Sequence, residues 1–142
     1  MITSTAQIER LVEEWILHKN IIIAVDYDDT IYPWKYATPK DCDEVIDALK
    51  SAQVTGAYIV IFTACREDRY NEIKEYCKSK GLEINSINQN PIELPYGNQN
   101  KIYANIFIDD RAGLEKSLDI LNRANFIIRG KKEVENALTQ RF

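Results

Sequence analysis

The chain has 142 residues, enough for one domain that buries roughly 70% of its unfolded surface. Hydrophobic residues make up 45% and charged residues 28%, the balance of an ordinary globular protein rather than a disordered or fibrous one. The net charge of −4 excludes a general nucleic-acid coat protein, which carries a basic footprint, but leaves room for an enzyme of phosphate esters, since a bound divalent cation reverses the local field. In chain order, residues 5–18 carry Ile8, Leu11, Val12, Trp15 and Ile16 on one helical face, and Ser4 with Gln7 forms a candidate capping box. A strand follows at 21–26. Thr38-Pro39-Lys40-Asp41 marks a helix start, with Thr38 as cap and proline at the first helical position. Val45, Ile46, Leu49 and Ala52 form its apolar stripe, and Gly56 closes the region. The run 57–62 has the composition of a parallel strand buried on both faces.

A third helix is predicted over 67–79, with Ile73, Tyr76 and Cys77 inward and Gly81 just past its end. Ile84 to Ile87 reads as a weaker strand, and residues 89–100 as the longest irregular segment. Residues 105–108 form a further buried strand that ends in Asp109-Asp110. A helix is expected over 111–123, then Phe126-Ile127-Ile128 as a last strand, then a polar helix from 131 onward. Strands alternating with helices predict an α/β fold with a single doubly wound parallel sheet, in one domain over 1–142 whose first twenty residues are an N-terminal helix. Cys42, Cys65 and Cys77 are odd in number and lack C-x-x-C spacing, so they read as reduced thiols, neither a disulfide framework nor a zinc site. No apolar stretch approaches the ~20 residues of a membrane span, and the N-terminus lacks a signal peptide's apolar segment. The expectation is a soluble, cytoplasmic protein without a membrane partner.

Three apolar runs end in polar residues: Asp26-Tyr27-Asp28-Asp29-Thr30, Thr63-Ala64-Cys65-Arg66 and Asp109-Asp110-Arg111. In a parallel sheet these ends share one edge, the edge where ligands bind in open α/β sheets. A lone aspartate after a strand is usually a helix cap; five acids, two threonines and two arginines on one edge exceed that role. Carboxylates this close repel unless a cation or a proton lies between them. The pattern therefore asks for a hard metal ion at the strand end, with one acid free to attack and one to move a proton.

With these residues, the chain resembles the haloacid dehalogenase (HAD) superfamily of phosphotransferases, from Ile21 to about Ile128. The superfamily's first motif, an apolar strand then Asp-x-Asp-x-Thr, corresponds to Asp26-Tyr27-Asp28-Asp29-Thr30. Its second corresponds to Ile59-Val60-Ile61-Phe62-Thr63, its lysine to Lys101, and its acidic fourth motif to Asp109-Asp110. The resemblance implies a phosphomonoester hydrolase in which Asp26 attacks phosphorus and Asp28 protonates the leaving alcohol, then deprotonates water. It implies Mg²⁺ held by the Asp26 carboxylate, the Asp28 main-chain carbonyl and the Asp109-Asp110 pair, with the direct ligand of the pair left open. Thr63 and Lys101 would hold the phosphoryl oxygens, although by spacing alone Lys101 reads equally well as a solvated lysine. A phosphotransferase with a non-water acceptor and a non-catalytic binding module of the same fold are the alternatives.

Asp29 stands where the superfamily most often has glycine. A further carboxylate facing a phosphate is repulsive, so Asp29 is expected to point away, capping a turn or pairing with a basic residue. Arg66 and Arg111 lie in segments that resemble those of polynucleotide 3′-phosphatases and deoxynucleotidases; either they contact substrate or they neutralise the acids, the latter favoured for Arg111. Neither residues 31–38 nor the dozen before Lys101 could form a cap domain, because independent folding needs ~40 residues. An open site is implied, suited to a nucleotide or nucleic-acid end, or to a lid from a second copy or a partner subunit. Trp34, in Ile31-Tyr32-Pro33-Trp34-Lys35-Tyr36, either stacks a base or packs a short flap onto the body.

Overall fold

The apolar run Ile21–Val25 forms β1 at the centre of the sheet in the computed structural model, which describes residues 4–92 and 102–141. It is preceded by α1 (Ser4–His18). From β1 the chain passes through α2 (Pro39–Val54), β2 (Ala57–Ile61), a 3-10 turn at Glu67–Arg69, α3 (Tyr70–Ser79) and β3 (Ser86–Ile87). It then returns to the other side of β1 as β4 (Ile106–Ile108) and finishes in α4 (Leu114–Arg141). All pairings are parallel and the order is β3-β2-β1-β4. The result is the expected α/β architecture, one Rossmann-like parallel sheet flanked by helices. Strand order reverses between β1 and β4, and a reversal of this kind opens a crevice at the carboxyl ends of the two strands.

Register fixes what meets at that crevice. Val25 pairs with both Ile61 and Ile108, and Ile61 pairs with Ile87. The ladder extends one residue further, with Asp26 N–H donating to Ile108 O, Phe62 N–H to Val25 O and Asn88 N–H to Ile61 O. Asp26, Phe62, Asn88 and Asp109 therefore leave the sheet side by side. Because side chains alternate along a strand, Ile21, Ile23, Val25, Ile59, Ile61 and Ile108 share one face. That face joins a single apolar cluster with Trp15 of α1, Leu49 of α2, Ile73 of α3 and Leu121 of α4. On the other face Ala24 and Val60 are buried outside this cluster, while Phe62 and Phe107 remain partly exposed and meet edge to face.

The helix predicted over 67–79 opens as the 3-10 turn before α3, the helices predicted over 111–123 and from 131 onward are the one helix α4, and several strands differ from the sequence expectation. The weaker strand predicted over 84–87 contracts to Ser86–Ile87, because the Asn85 side chain takes over the pairing: its Oδ1 accepts from Ile59 N–H while its own N–H donates to Ile59 O. Asn105 does the same beside β4, bonding both polar backbone groups of Ile22, so β4 begins one residue later than expected. The fifth strand predicted at Phe126-Ile127-Ile128 does not form, since these residues lie inside α4. Leu114, Leu118, Leu121, Asn125 and Ile128 repeat at helical spacing, turn into the body and outweigh the strand preference of three β-prone residues.

The helix boundaries follow local chemistry. Thr38 accepts from Asp41 N–H while the Asp41 carboxylate accepts from Thr38 N–H, a full capping box with Pro39 behind the cap. α1 takes in Ser4 itself, so Ser4 is its first residue rather than its cap. At Gly56, φ is +106° and an added Cβ would meet Lys19 O at 2.8 Å, so only glycine fits this approach. Among the described residues no helix is long and apolar enough to cross a membrane.

Candidate functional site

The floor of the crevice is acidic. Carboxylate oxygens of Asp26, Asp109 and Asp110 all lie within 4.8 Å of one another, although Asp26 and Asp110 are 84 positions apart in sequence only as the ends of adjacent parallel strands. Thr30 joins the two ends. Its buried hydroxyl accepts from Asp110 N–H at 3.1 Å and lies 3.2 Å from Asp26 Oδ2 and 3.1 Å from Asp110 Oδ1. A hydroxyl has one proton, so it serves one of the two carboxylates at a time. Burial, then a hydrogen bond that the protonated carboxyl donates to Asp110, and the charge of Asp109, push the Asp26 carboxyl up to about 7. An oxygen-only set of three crowded carboxylates has the chemistry of a site for a hard divalent cation.

Asp28 stands apart from this cluster. Its carboxylate is held by Arg69, with Nη1 donating to Oδ2 at 3.1 Å and Nη2 to Oδ1 at 3.3 Å. That bond keeps the guanidinium even more firmly protonated. Asp28 backbone bridges to Tyr32, and the turn between them rests on Tyr27, fully buried and stacked on the Tyr32 ring with centroids 5.3 Å apart. The motif spacing therefore sends Asp26 and Asp28 to different partners, one to the acidic cluster and one to a guanidinium.

Asp29 resolves as a turn cap. Its φ of +60° is the left-handed conformation that glycine favours and aspartate tolerates. Its Oδ1 accepts four backbone N–H groups, from Trp34, Lys35, Tyr36 and Ala37, at 2.8–3.2 Å. Burial alone would raise this carboxyl, but the four donors outweigh it and hold it below the usual range. The loop is thus tied down by one carboxylate oxygen, not by its aromatic residues: Trp34 is 62% exposed and Tyr36 78% exposed. Both rings are left at the rim of the cleft.

Thr63 is set by Asn88. Asn88 Oδ1 accepts from Thr63 N–H at 2.8 Å, and its Nδ2 donates to Thr63 O at 2.7 Å. Thr63 Oγ1 accepts from Cys65 N–H, which leaves its proton to donate into the cleft. Asn88 holds φ of +54°, and an asparagine in a turn after a strand is the signal by which sequence could have found it.

The resulting cleft, about 1170 Å³, is lined by Asp26, Asp28, Asp29, Trp34, Tyr36, Phe62, Thr63, Cys65, Arg69 and the Asp109-Asp110-Arg111 turn. Of the residues expected from sequence, Asp26, Asp28, Thr63, Trp34, Asp109 and Asp110 are brought together. Arg66 is not: it is exposed in extended conformation ahead of the 3-10 turn, outside the lining, and Arg69 three residues later enters instead. Arg111, for which neutralising the acids is the favoured expectation, is exposed and lines the cleft, and its backbone N–H donates to Asp109 Oδ1. Lys101 lies outside the described residues.

No protein-family model matches the chain, and no curated protein does. Among solved structures, it is similar to a conserved protein coded by a locus from Bacteroides thetaiotaomicron. The TM-score is 0.58 and the identity 27%, over 79% of this chain and 92% of the other.

Proposed function

We propose that the chain is a Mg²⁺-dependent phosphomonoester hydrolase of the haloacid dehalogenase type, acting through an aspartyl phosphate. The observation that carries this reading is the convergence of Asp26, Asp109 and Asp110 within 4.8 Å at the strand reversal, with Asp28 held separately beside them. A binding module needs no such division between a clustered acid and a separate one. Asp26, Asp109 and Asp110 would hold the cation, which when bound neutralises charge on the phosphoryl oxygens.

The chain's own groups do the rest. An Asp26 oxygen forms the bond to phosphorus as the ester P–O bond breaks, and Asp28 supplies a proton to the departing oxygen. In the second half-reaction a water oxygen attacks phosphorus, the Asp26–phosphorus bond breaks, and Asp28 takes the water proton. The Thr63 hydroxyl donates to a phosphoryl oxygen. The exposed rings of Trp34, Tyr36 and Phe62 beside the Arg111 cation support a nucleotide or nucleic-acid end as substrate, since bases stack on exposed aromatics and phosphates pair with arginine.

The test is phosphate release with Mg²⁺ across nucleotides, sugar phosphates and 3′- or 5′-phosphorylated oligonucleotides. Turnover that disappears in Asp26→Asn supports the reading; turnover within tenfold of wild type in that variant, or none in wild type on any ester, overturns it. Added alcohol acceptors in the same assay separate hydrolysis from transfer to a non-water acceptor.

A further inference from the structure

Arg69 has no part in the reading above, yet it is what holds the acid–base group. It ends the 3-10 turn Glu67–Arg69, whose backbone closes by Arg69 N–H donating to Arg66 O at 3.0 Å. From there its guanidinium meets both oxygens of Asp28 in a two-bond fork. The fork is itself braced on three sides. Nη1 lies 3.0 Å from Cys65 Sγ, the guanidinium carbon lies 5.9 Å over the buried Tyr27 ring, and Nη2 lies 3.8 Å from Glu72. Among the described residues, the other side chain that reaches the Asp28 carboxylate is Cys65, at 3.6 Å through sulfur, a weak contact. Two parallel charge-assisted bonds fix the plane of a carboxylate, which a single bond or a lysine does not.

We infer that Arg69 is a positioning residue that aims Asp28 for both of its proton transfers. The inference rests on the phosphomonoesterase reading and adds to it the group that sets the geometry of the acid–base step. In the fork both Asp28 oxygens accept from Arg69, so one Arg69 bond first yields to a proton from solvent; that proton passes to the leaving oxygen as the P–O ester bond breaks, and the carboxylate left behind again receives both guanidinium N–H groups. In the second, Asp28 recovers a proton from the attacking water as the Asp26–phosphorus bond breaks, and one Arg69 bond yields to it. Arg69 stays protonated throughout and exchanges nothing with the substrate.

Leaving-group dependence tests this, because an aryl oxide departs without a proton and an alkoxide does not. kcat/KM is measured for an alkyl and an aryl phosphate with Mg²⁺, since it reads the first half-reaction. Arg69→Gln should lower the alkyl value at least about tenfold, part of the 100- to 10,000-fold that a positioned acid supplies, and leave the aryl value within about threefold. Arg69→Lys should keep the aryl value and lose part of the alkyl one, and added guanidinium should restore alkyl turnover to Arg69→Ala. In an Asp28→Asn background, Arg69→Gln should change neither. Equal loss on both esters would make Arg69 a phosphate ligand or a packing residue and overturn the inference, as would no loss on either. Wild type inactive on both overturns the phosphatase reading, and this inference with it; active wild type with an unchanged alkyl-to-aryl ratio in the variants overturns this inference alone.

Discussion

Removing one negative charge from the crevice should stabilise the metal-free protein. The Asp26 carboxyl has an ordinary value of 3.8 and is raised to about 7 in the fold by burial, then by Asp110 and Asp109. A shift of about 3 units is worth about 4 kcal/mol at full strength. The cleft is open to water, and screening roughly halves that, to about 2 kcal/mol. The sign follows from proton uptake. Between pH 4 and 7 the folded chain holds a proton at Asp26 that the unfolded chain has released, so the folded state loses stability as pH rises, fully so above about 7 and not at all below about 4. Asp26→Asn, nearly the same shape without the charge, escapes this loss. In EDTA at pH 8 its melting temperature should exceed wild type by about 4–8 °C, at 2–4 °C per kcal/mol for a chain of this size, and the gap should close toward pH 4. Mg²⁺ should shrink or reverse the gap, because it stabilises only the protein that binds it well. Thermal unfolding at pH 4, 6 and 8, with EDTA or Mg²⁺, measures this. Equal melting temperatures in EDTA at pH 8, or a gap that does not change with pH, would refute the crowding of three carboxylates as the source of the shift.

EDTA should stop turnover and Mg²⁺ restore it, whereas restoration by Zn²⁺ alone would contradict an all-oxygen ligand set. Asp29→Ala should free the loop at 34–37, read as faster tryptic cleavage after Lys35 at neutral pH; because the four N–H donors hold the Asp29 carboxyl below its ordinary range, its contribution is present above the ordinary aspartate value and lost only as pH falls through the lowered one, so the melting temperatures of wild type and variant should converge only in acid. Trp34→Ala should raise KM for a nucleotide by about five- to 150-fold, the loss of a 1–3 kcal/mol base stack, and leave a small aryl phosphate unchanged; uniform loss would point to a non-nucleic substrate. Ile128→Ala should cost about 2–5 kcal/mol in denaturant unfolding and Phe126→Ala almost nothing, since Ile128 is buried and Phe126 is 78% exposed on the same helix; comparable losses at both positions would favour a buried strand there.

The parts of the site that were legible in the sequence are those adjacent to a buried strand. Asp26, Thr63 and Asp109 each follow an apolar run by one or two residues, so strand register alone carries them to a common edge, whatever the intervening loops do. Thr38 and Asp41 were legible for a related reason, because a capping box is complete within four residues. Arg69 and Asn88 were not, since each depends on a turn whose rotation is set by tertiary packing. In Arg66-Glu67-Asp68-Arg69 the 3-10 turn decides which arginine points inward, and that turn is fixed by Tyr27 and Cys65, which are distant or follow no period. The fifth strand failed for the opposite reason: Phe126-Ile127-Ile128 was judged over three residues, where β preference dominates, while the spacing of Leu114, Leu118, Leu121, Asn125 and Ile128 extends over fifteen. A helix already propagating from Leu114 adds each residue without a new nucleus, and Asn125 Nδ2 with Ser51 Oγ at 3.0 Å, then Lys132 Nζ with Thr55 O at 2.9 Å, fasten successive turns to α2. Among the described residues β4 is an edge of the sheet, and the crevice beside it runs from Trp34 to Arg111. The loop that carries Trp34 is held in place by a single carboxylate, Asp29, whose Oδ1 gathers four backbone N–H groups, where glycine would have left it untied.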